Sequence, residues 1–338
     1  MKTEMTPDMK TVSTMQAIVQ DEYGDAGDVL RLEAIERPEV GDDEVLVRVH
    51  AAGLDRGVWH LMAGLPYPVR LAGYGLRAPK NRVRGREVAG RVEAVGANVT
   101  ALSPGDEVFG IAEGSFAEYV CARPDLLVAK PANLTFVQAA AVAVSALTAL
   151  QAVRDRGKVQ PGQKVLILGA SGGVGTFAVQ IAKAFGAEVT GVCSTAKVDL
   201  VRSIGADHVI DYTIDDIAGG ADRYDVIIDI GGNRSLSTLR RALTPRGTLV
   251  ITGGETGGRW LGGSDRQVRA LLWSPFVGQK LGTFICSENN ADLLVLRDLI
   301  ESGKLAPVID RTYPLSEVPA AIEHLQAGHA RGKVVITV

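Results

Sequence analysis

Cysteine is scarce. Cys121, Cys193 and Cys286 are the only three, far apart, odd in number, and each inside a strand-like run. Neither a disulfide framework nor a cysteine-rich zinc lobe can be built from them, so they read as buried structural thiols. A dominant charge is also missing. A formal net charge of −3 over 338 residues excludes nucleic acid as the main partner. No apolar run reaches the roughly 20 residues of a membrane span, so no membrane partner is expected. There is no internal repeat and no low-complexity segment. The opening Met1–Thr14 is polar and mixed in charge, without a hydrophobic signal core, and a short frayed tail on a cytoplasmic protein is expected.

What the chain has is apolar substance and glycine. At 46% apolar, 338 residues suffice for two domains with sizeable cores. The first third reads as all-β. Strands are expected at Met15–Asp21 and Leu30–Ile35 around a Tyr23-Gly24 turn, and at Glu44–Ala51, whose alternation gives one wet face. A loop and short helix close on a Pro-Tyr-Pro break, and strands at Val88–Val95, Glu107–Gly110 and Ser115–Ala122 come after it. Many short strands with turn signals between them imply a partly open barrel. After Lys130-Pro131 an alanine-rich helix is expected over Thr135–Val153, and then strands and helices alternate, as in a parallel sheet covered on both faces. A helix over Ala291–Ser302 leads out. Val308–Tyr313, a helix Ser316–Gln326 and a strand Lys333–Val338 read as a return to the first domain.

The stretch Gln163–Lys197 carries the chemistry. Lys164–Leu168 is a β run, Gly169–Gly175 a turn, Thr176–Phe185 a helix stopped by Gly186, and Glu188–Cys193 a second β run. The turn reads Ala170-Ser171-Gly172-Gly173-Val174-Gly175, the dinucleotide fingerprint with Ala in its first place. Gly172 lets the backbone approach a pyrophosphate, Gly175 lets helix and strand pack closely, and the helix N-terminus offers N–H groups to phosphate. The strand–turn–helix context is the one the motif requires. At the end of the second strand, where an NAD site usually places a carboxylate, stand Ser194-Thr195-Ala196-Lys197. A hydroxyl and an ammonium would bind the 2′-phosphate of NADPH. One hydrogen bond to a charged group is worth roughly 1.5–3 kcal/mol, or about 10- to 150-fold in affinity. Asp199, two residues on, argues the other way.

With these stretches in hand, the chain resembles the medium-chain dehydrogenase/reductase superfamily, in its zinc-free quinone reductase branch. The matching stretches are GREVAGRVEAVG (85–96), PGDEVFG (104–110), GSFAEYV (114–120), GASGGVGTFAVQIAKAFGA (169–187), GADHVIDY (205–212) and ARGKVVI (330–336). The resemblance implies an α/β protein: a GroES-like β-barrel catalytic domain over 1–130 and 303–338, split by a doubly wound Rossmann domain over 131–302, with the active site in the cleft between them. It also implies a homodimer formed by extending the Rossmann sheet at the edge Leu281–Cys286. Zinc enzymes of the superfamily hold a catalytic metal through Cys, His and Cys or Asp. Here Asp55 stands at the first position, Arg86 replaces His in the Gly-His-Glu motif, and Val144 falls at the third. Arginine has no lone pair to give a metal, so no zinc is expected. The paired change suggests that Asp55 and Arg86 form an ion pair in the metal's place.

Without a Lewis acid, hydride from NADPH to a conjugated acceptor remains, a quinone or α,β-unsaturated carbonyl whose charge spreads onto one oxygen. Tyr67 is the candidate proton donor, by resemblance to enoyl-thioester reductases with Tyr in a G-x-Y-P context. Here Gly64-Leu-Pro-Tyr67-Pro has one extra residue, and a tyrosine packed on prolines at a turn is the other reading. Asp55 is a candidate to orient substrate or nicotinamide ribose. His60 reads as a surface helix residue, and Tyr23 as a residue that could line the cleft. On the cofactor side the resemblance places Thr148 beside the nicotinamide, Tyr212 near the adenosine, Ile230 where the cofactor crosses, Gly253 at the start of a lid loop over 253–263, and Ile285 at the carboxamide. The basic segment Arg70–Arg91 reads as a solvated, charge-balanced loop; the alternative is a patch for an acyl-CoA phosphate or carrier protein. Two other functions stay open: a 2-enoyl-thioester reductase, and an NADPH-binding protein without turnover.

Overall fold

A computed structural model describes residues 13–217, 222–232, 234–253 and 258–338. The chain opens with β1 (Thr14–Val19) and β2 (Arg31–Glu36), an antiparallel pair. The barrel strands β3 (Val45–Leu54), β4 (Glu87–Val95), β5 (Glu107–Ile111), β6 (Tyr119–Ala122) and β7 (Leu127–Ala129) come next. The middle of the chain supplies β8 (Lys164–Leu168), β9 (Glu188–Cys193), β10 (His208–Asp211), β11 (Tyr224–Asp229), β12 (Leu243–Ile251) and β13 (Lys280–Thr283). The chain closes with β14 (Ile309–Pro314) and β15 (Lys333–Thr337), which join the barrel sheet in the order β14-β15-β3-β4-β5-β7, with β6 on β3. The return to the barrel read from Val308 onward is therefore present.

β8 to β13 form one sheet in the order β10-β9-β8-β11-β12-β13, with every pair parallel. This is the doubly wound dinucleotide-binding order, whose topological switch lies between β8 and β11. Its strands read as unbroken apolar runs because both faces are covered: Val165, Leu166 and Ile167 are fully buried. The helix Gly173–Ala184 covers one face with Phe177 and Ile181, also fully buried.

The expected helix Thr135–Val153 is two helices. Thr135 caps Phe136–Ala140 in a reciprocal capping box with Gln138, and Ala143–Leu150 starts afresh after Ala141-Val142. The restart has a cause. The carboxylate of Glu87, on β4, accepts the Val144 N–H at 2.8 Å, which sets the new helix N-terminus on the barrel. Small side chains let the backbones close up: a Cβ on Gly53 would collide with the Ala140 carbonyl. One core cluster therefore runs from Phe109 and Val128 of the barrel through Leu147 and Leu150 to Ile167 and Ile228 of the parallel sheet.

Candidate active site

The C-terminal ends of the parallel strands meet on one side, where ligands bind in such sheets. At the end of β8, Gly169 has φ 78°, and a Cβ on Gly175 would collide with its carbonyl, so both positions need glycine. A Cβ on Gly172 would meet only the Gly169 oxygen at 3.5 Å, which leaves the open cradle a pyrophosphate needs. The barrel clamps this turn. The Gly332 N–H donates to the Ser171 carbonyl at 2.9 Å, and the Lys333 Cδ lies 3.1 Å from where a Cβ on Gly173 would stand. Gly173 and Val174 open the helix behind it.

Around the turn stand the other strand ends. Ser194 comes after β9, half-buried, and Lys197 closes the short helical turn beyond it. The Lys197 ammonium donates to the Ala330 carbonyl at 2.9 Å and the Gly328 carbonyl at 3.3 Å. Burial lowers its pKa, Asp310 opposes, and Arg331 alongside adds to the lowering. Asp199 is fully exposed and pairs with Arg202 at 3.8 Å, so it does not face the Lys197 ammonium. Tyr212 is half-exposed beyond β10. Ile230 comes just after β11, where its carbonyl leaves Gly253 no room for a side chain. Ile285 is 94% exposed beyond β13, so its side chain has no packing role. Thr148 donates to the Val144 carbonyl at 2.8 Å and contacts Cys286, whose thiol burial pushes up to about 11. Cys121 and Cys193 are likewise pushed up to about 11 by burial, and Cys193 is fully covered. Of the expected lid 253–263, residues 254–257 lie outside the described residues. The N-terminal flank of that stretch is held by Arg266, on the helix Ser264–Trp273: it pairs with the buried Asp229 at 2.6 Å and donates to the Gly253 carbonyl at 3.4 Å.

The barrel supplies the opposite wall. Asp55 caps the helix Arg56–Ala63: its carboxylate accepts the Gly57 N–H at 2.6 Å and the Val58 N–H at 3.3 Å, and the second oxygen is buried without a partner. The expected Asp55–Arg86 pair does not form. Arg86 donates instead to Glu113 at 3.1 Å and to Glu288, just beyond β13, and so bridges the two walls. Burial works against the Arg86 charge, but Glu288, Asp55 and Glu113 outweigh it and raise the pKa. The two residues missed by sequence reasoning here, Glu113 and Glu288, are 27 and 202 positions away from Arg86, beyond any local pattern.

Tyr67 is half-buried on the loop after that helix. Its N–H donates to the Arg259 carbonyl at 2.9 Å, its ring meets Trp260 edge-on at 5.1 Å, and the Arg70 guanidinium lies 5.0 Å from its centroid. Its ring contacts are thus to Trp260 and Arg70, and they join the barrel to the loop after β12. Between them is a cavity of about 270 Å³ lined by Trp59, His60, Leu65, Pro66, Arg259 and Gly262, among others. His60 is therefore a cavity residue as well as a helix residue, its Nδ1 2.8 Å from the Leu65 carbonyl. A larger depression of about 440 Å³ borders Arg240, Pro245 and Gln279. It lies at the N-terminal starts of β12 and β13, opposite the crevice, and carries none of this chemistry.

The basic segment departs from its solvated reading. Arg82 does pair outward, with Asp21 at 2.5 Å, but Arg84 is only 7% exposed.

Comparison with known proteins agrees with this architecture. Residues 41–132 match the alcohol dehydrogenase GroES-like domain family, and residues 204–336 match the zinc-binding dehydrogenase family. The mitochondrial NAD(P)H oxidoreductase RTN4IP1 of Mus musculus is 34% identical, over 96% of this chain and 90% of that protein. The chloroplastic NADPH-dependent alkenal/one oxidoreductase of Arabidopsis thaliana is 35% identical, over 98% of this chain and 82% of that protein. The structure of the quinone oxidoreductase from Coxiella burnetii superposes with a TM-score of 0.82 at 30% identity, over 96% of this chain and 100% of that one. A barrel of GroES type, a parallel sheet in dinucleotide-binding order and relatives of this extent place the chain in the medium-chain dehydrogenase/reductase superfamily, as a nicotinamide-dependent oxidoreductase.

Proposed function

We propose that the protein is an NADPH-dependent, zinc-independent reductase of quinones or α,β-unsaturated carbonyls. The observation that carries this is Arg86. A zinc-type site would need a lone pair at that position; the guanidinium has none and is shared between Glu113 and Glu288. The donor set does not fit a metal, so the acceptor must disperse its own charge, as a conjugated carbonyl does. The fingerprint turn fits a dinucleotide, and 169–175 would hold the pyrophosphate, with Thr148, Ile230, Gly253 and Ile285 along the nicotinamide half and Ser194, Lys197 and Tyr212 along the adenosine half. When bound, NADPH supplies the hydride.

The rest of the chemistry falls to the chain. Residues 1–130 and 303–338 form the acceptor-binding domain and 131–302 the cofactor domain. The cavity beside Trp59 and Pro66 takes the acceptor and excludes water. The Tyr67 hydroxyl gives its proton to the reduced acceptor, with Arg70 and Trp260 fixing its ring. Asp55 acts by holding the helix Arg56–Ala63, and with it Trp59 and His60, in place. The protein works as a homodimer. The test is NADPH oxidation, with NADH as control, against quinones, short enones and crotonyl-CoA with products identified. Turnover of free quinones or enones above the thioester is expected. Preference for the thioester would replace this reading with thioester reduction. NADPH binding without any turnover would reduce it to a binding protein.

A further inference from the structure

Arg84 is the one strongly buried arginine that forms no ion pair among the described residues. It is 7% exposed, and its Nε is buried with no hydrogen-bond partner. Its backbone is fixed from both sides: its N–H donates to the Ile18 carbonyl at 3.2 Å and its carbonyl accepts the Phe116 N–H at 2.8 Å. The titratable groups that face it are Glu113 and the neutral phenol Tyr23, and burial lowers its pKa. Glu113 is already committed to the Arg86 Nε at 3.1 Å.

Two more orphans lie nearby, one just past β1 and one in the loop before β6. Gln20 Oε1 and Ser115 Oγ are both buried without partners. Gln20 and Arg84 flank the Val19–Val83 bridge and so share one face of that pairing. Ser115 Oγ crowds the position a Cβ on Gly85 would take. Arg70 adds a second cation without a carboxylate among the described residues: it stacks 4.3 Å above the Tyr23 ring, and its Nε bonds the Gly64 carbonyl at 2.9 Å. Tyr23 thus stands between Arg70 and Arg84, and Arg70 also touches Tyr67.

Burying a cation without a counter-charge is costly, and a protein recovers that cost when an anion arrives. The phosphates of a dinucleotide have their own cradle at 169–175 and at Lys197, across the crevice. We propose that Arg84, supported by Arg70, binds a carboxylate carried by the acceptor, so that the substrates are acidic conjugated carbonyl compounds. A guanidinium fork matches a carboxylate in two parallel hydrogen bonds. This rests on the reading of the chain as a reductase of conjugated carbonyls, and it assigns that reading a substrate class.

The test uses pairs that differ only in charge. Acetylacrylate and its methyl ester are compared as acceptors for NADPH oxidation. Levulinate and methyl levulinate, which lack the conjugated carbon–carbon double bond, are compared in equilibrium binding to the full chain loaded with NADP+. The acid is expected to show a KM and a Kd at least about tenfold below the ester. That gap should close toward unity in Arg84→Met, and in Arg84→Gln should the methionine variant not fold. Equal values for acid and ester in the parent chain, preference for the ester, or a gap that survives both variants would each overturn the proposal. Levulinate binding with the expected gap but no reduction of either enone would leave the anion site standing and remove the reductase reading instead.

Discussion

At the scale of single residues, the hydroxyl of Tyr67 and the ammonium of Lys197 carry the sharpest consequences. A positioned proton donor contributes about 10²–10⁴-fold to a rate. Tyr67→Phe should therefore lower kcat by that order for enone reduction while the ring stays between Trp260 and Arg70. The measurement is steady-state kinetics with product identification. A change confined to the acceptor KM would assign Tyr67 to binding alone. Lys197→Ala should lower the preference for NADPH over NADH by about 10- to 150-fold. Its ammonium bonds the carbonyls of Gly328 and Ala330, so in binding a 2′-phosphate it exchanges neutral acceptors for a charged one. Competitive binding of the two cofactors reads this directly, and an unchanged ratio would clear Lys197 of the role. The difference between what could and could not be read in advance is physical. The fingerprint and the residues after β9 are local patterns, and they stand where the sequence puts them. The partners of Arg86 are set by how two walls meet, and nothing near Arg86 in the chain names Glu288. The burial of Arg84 inside a basic, turn-rich segment was hidden for the same reason.

At the scale of elements, the buried trio Glu87, Lys333 and Ser145 joins the barrel to the helix that begins at Ala143. Lys333 donates to Glu87 and, at 3.1 Å, to the Ser145 hydroxyl, while Glu87 accepts the Val144 N–H. Burial pushes the Glu87 pKa up and Lys333 opposes it, so each charge is tolerable only beside the other. Removing one leaves the other buried and unpaired, at a cost of about 3–5 kcal/mol. Glu87→Gln should lose that much stability in urea unfolding. Glu87→Met with Lys333→Met together should recover most of it, because no charge is then left uncompensated. A double variant as unstable as the single one would mean the pair is needed for packing and not for charge balance. The sequence shows Glu87 after Arg86 and Lys333 after Gly332, but not that 246 positions of chain bring them together. The break in the helix expected over Thr135–Val153 has the same origin, since a buried acceptor on another element decides where the second helix starts. Periodicity alone reads straight through it.

At the scale of the whole molecule, the parallel sheet ends at β13, which pairs with β12 on one side only. Its other side is covered only in part, where the Leu281 N–H donates to the Ser274 Oγ at 3.0 Å, and an exposed edge is normally covered. Beside it, the helix Ser264–Trp273 and the turn after it present Val268, Leu271, Leu272 and Phe276, from 51% to 87% exposed. A contiguous apolar face next to an open edge is the composition of a partner surface and not of a solvated one. A two-fold axis through the β13 edge would pair that strand with its own copy and bury both apolar faces at once. Covering one such side chain is worth about 1.5–3 kcal/mol, and the symmetry counts it twice, so Leu272→Asp should weaken association by roughly two to four decades. Analytical ultracentrifugation across micromolar concentrations should show a dimer for the parent chain and a monomer for Leu272→Asp, with unchanged far-ultraviolet circular dichroism. A parent chain that sediments as a monomer would remove the dimer from the proposal. The same helix carries Arg266, which holds Asp229 and the Gly253 carbonyl at the crevice. A dimer braced through this helix would also brace Arg259 and Trp260, which precede it and contact Tyr67, and loss of the dimer should raise the acceptor KM more than the cofactor KM.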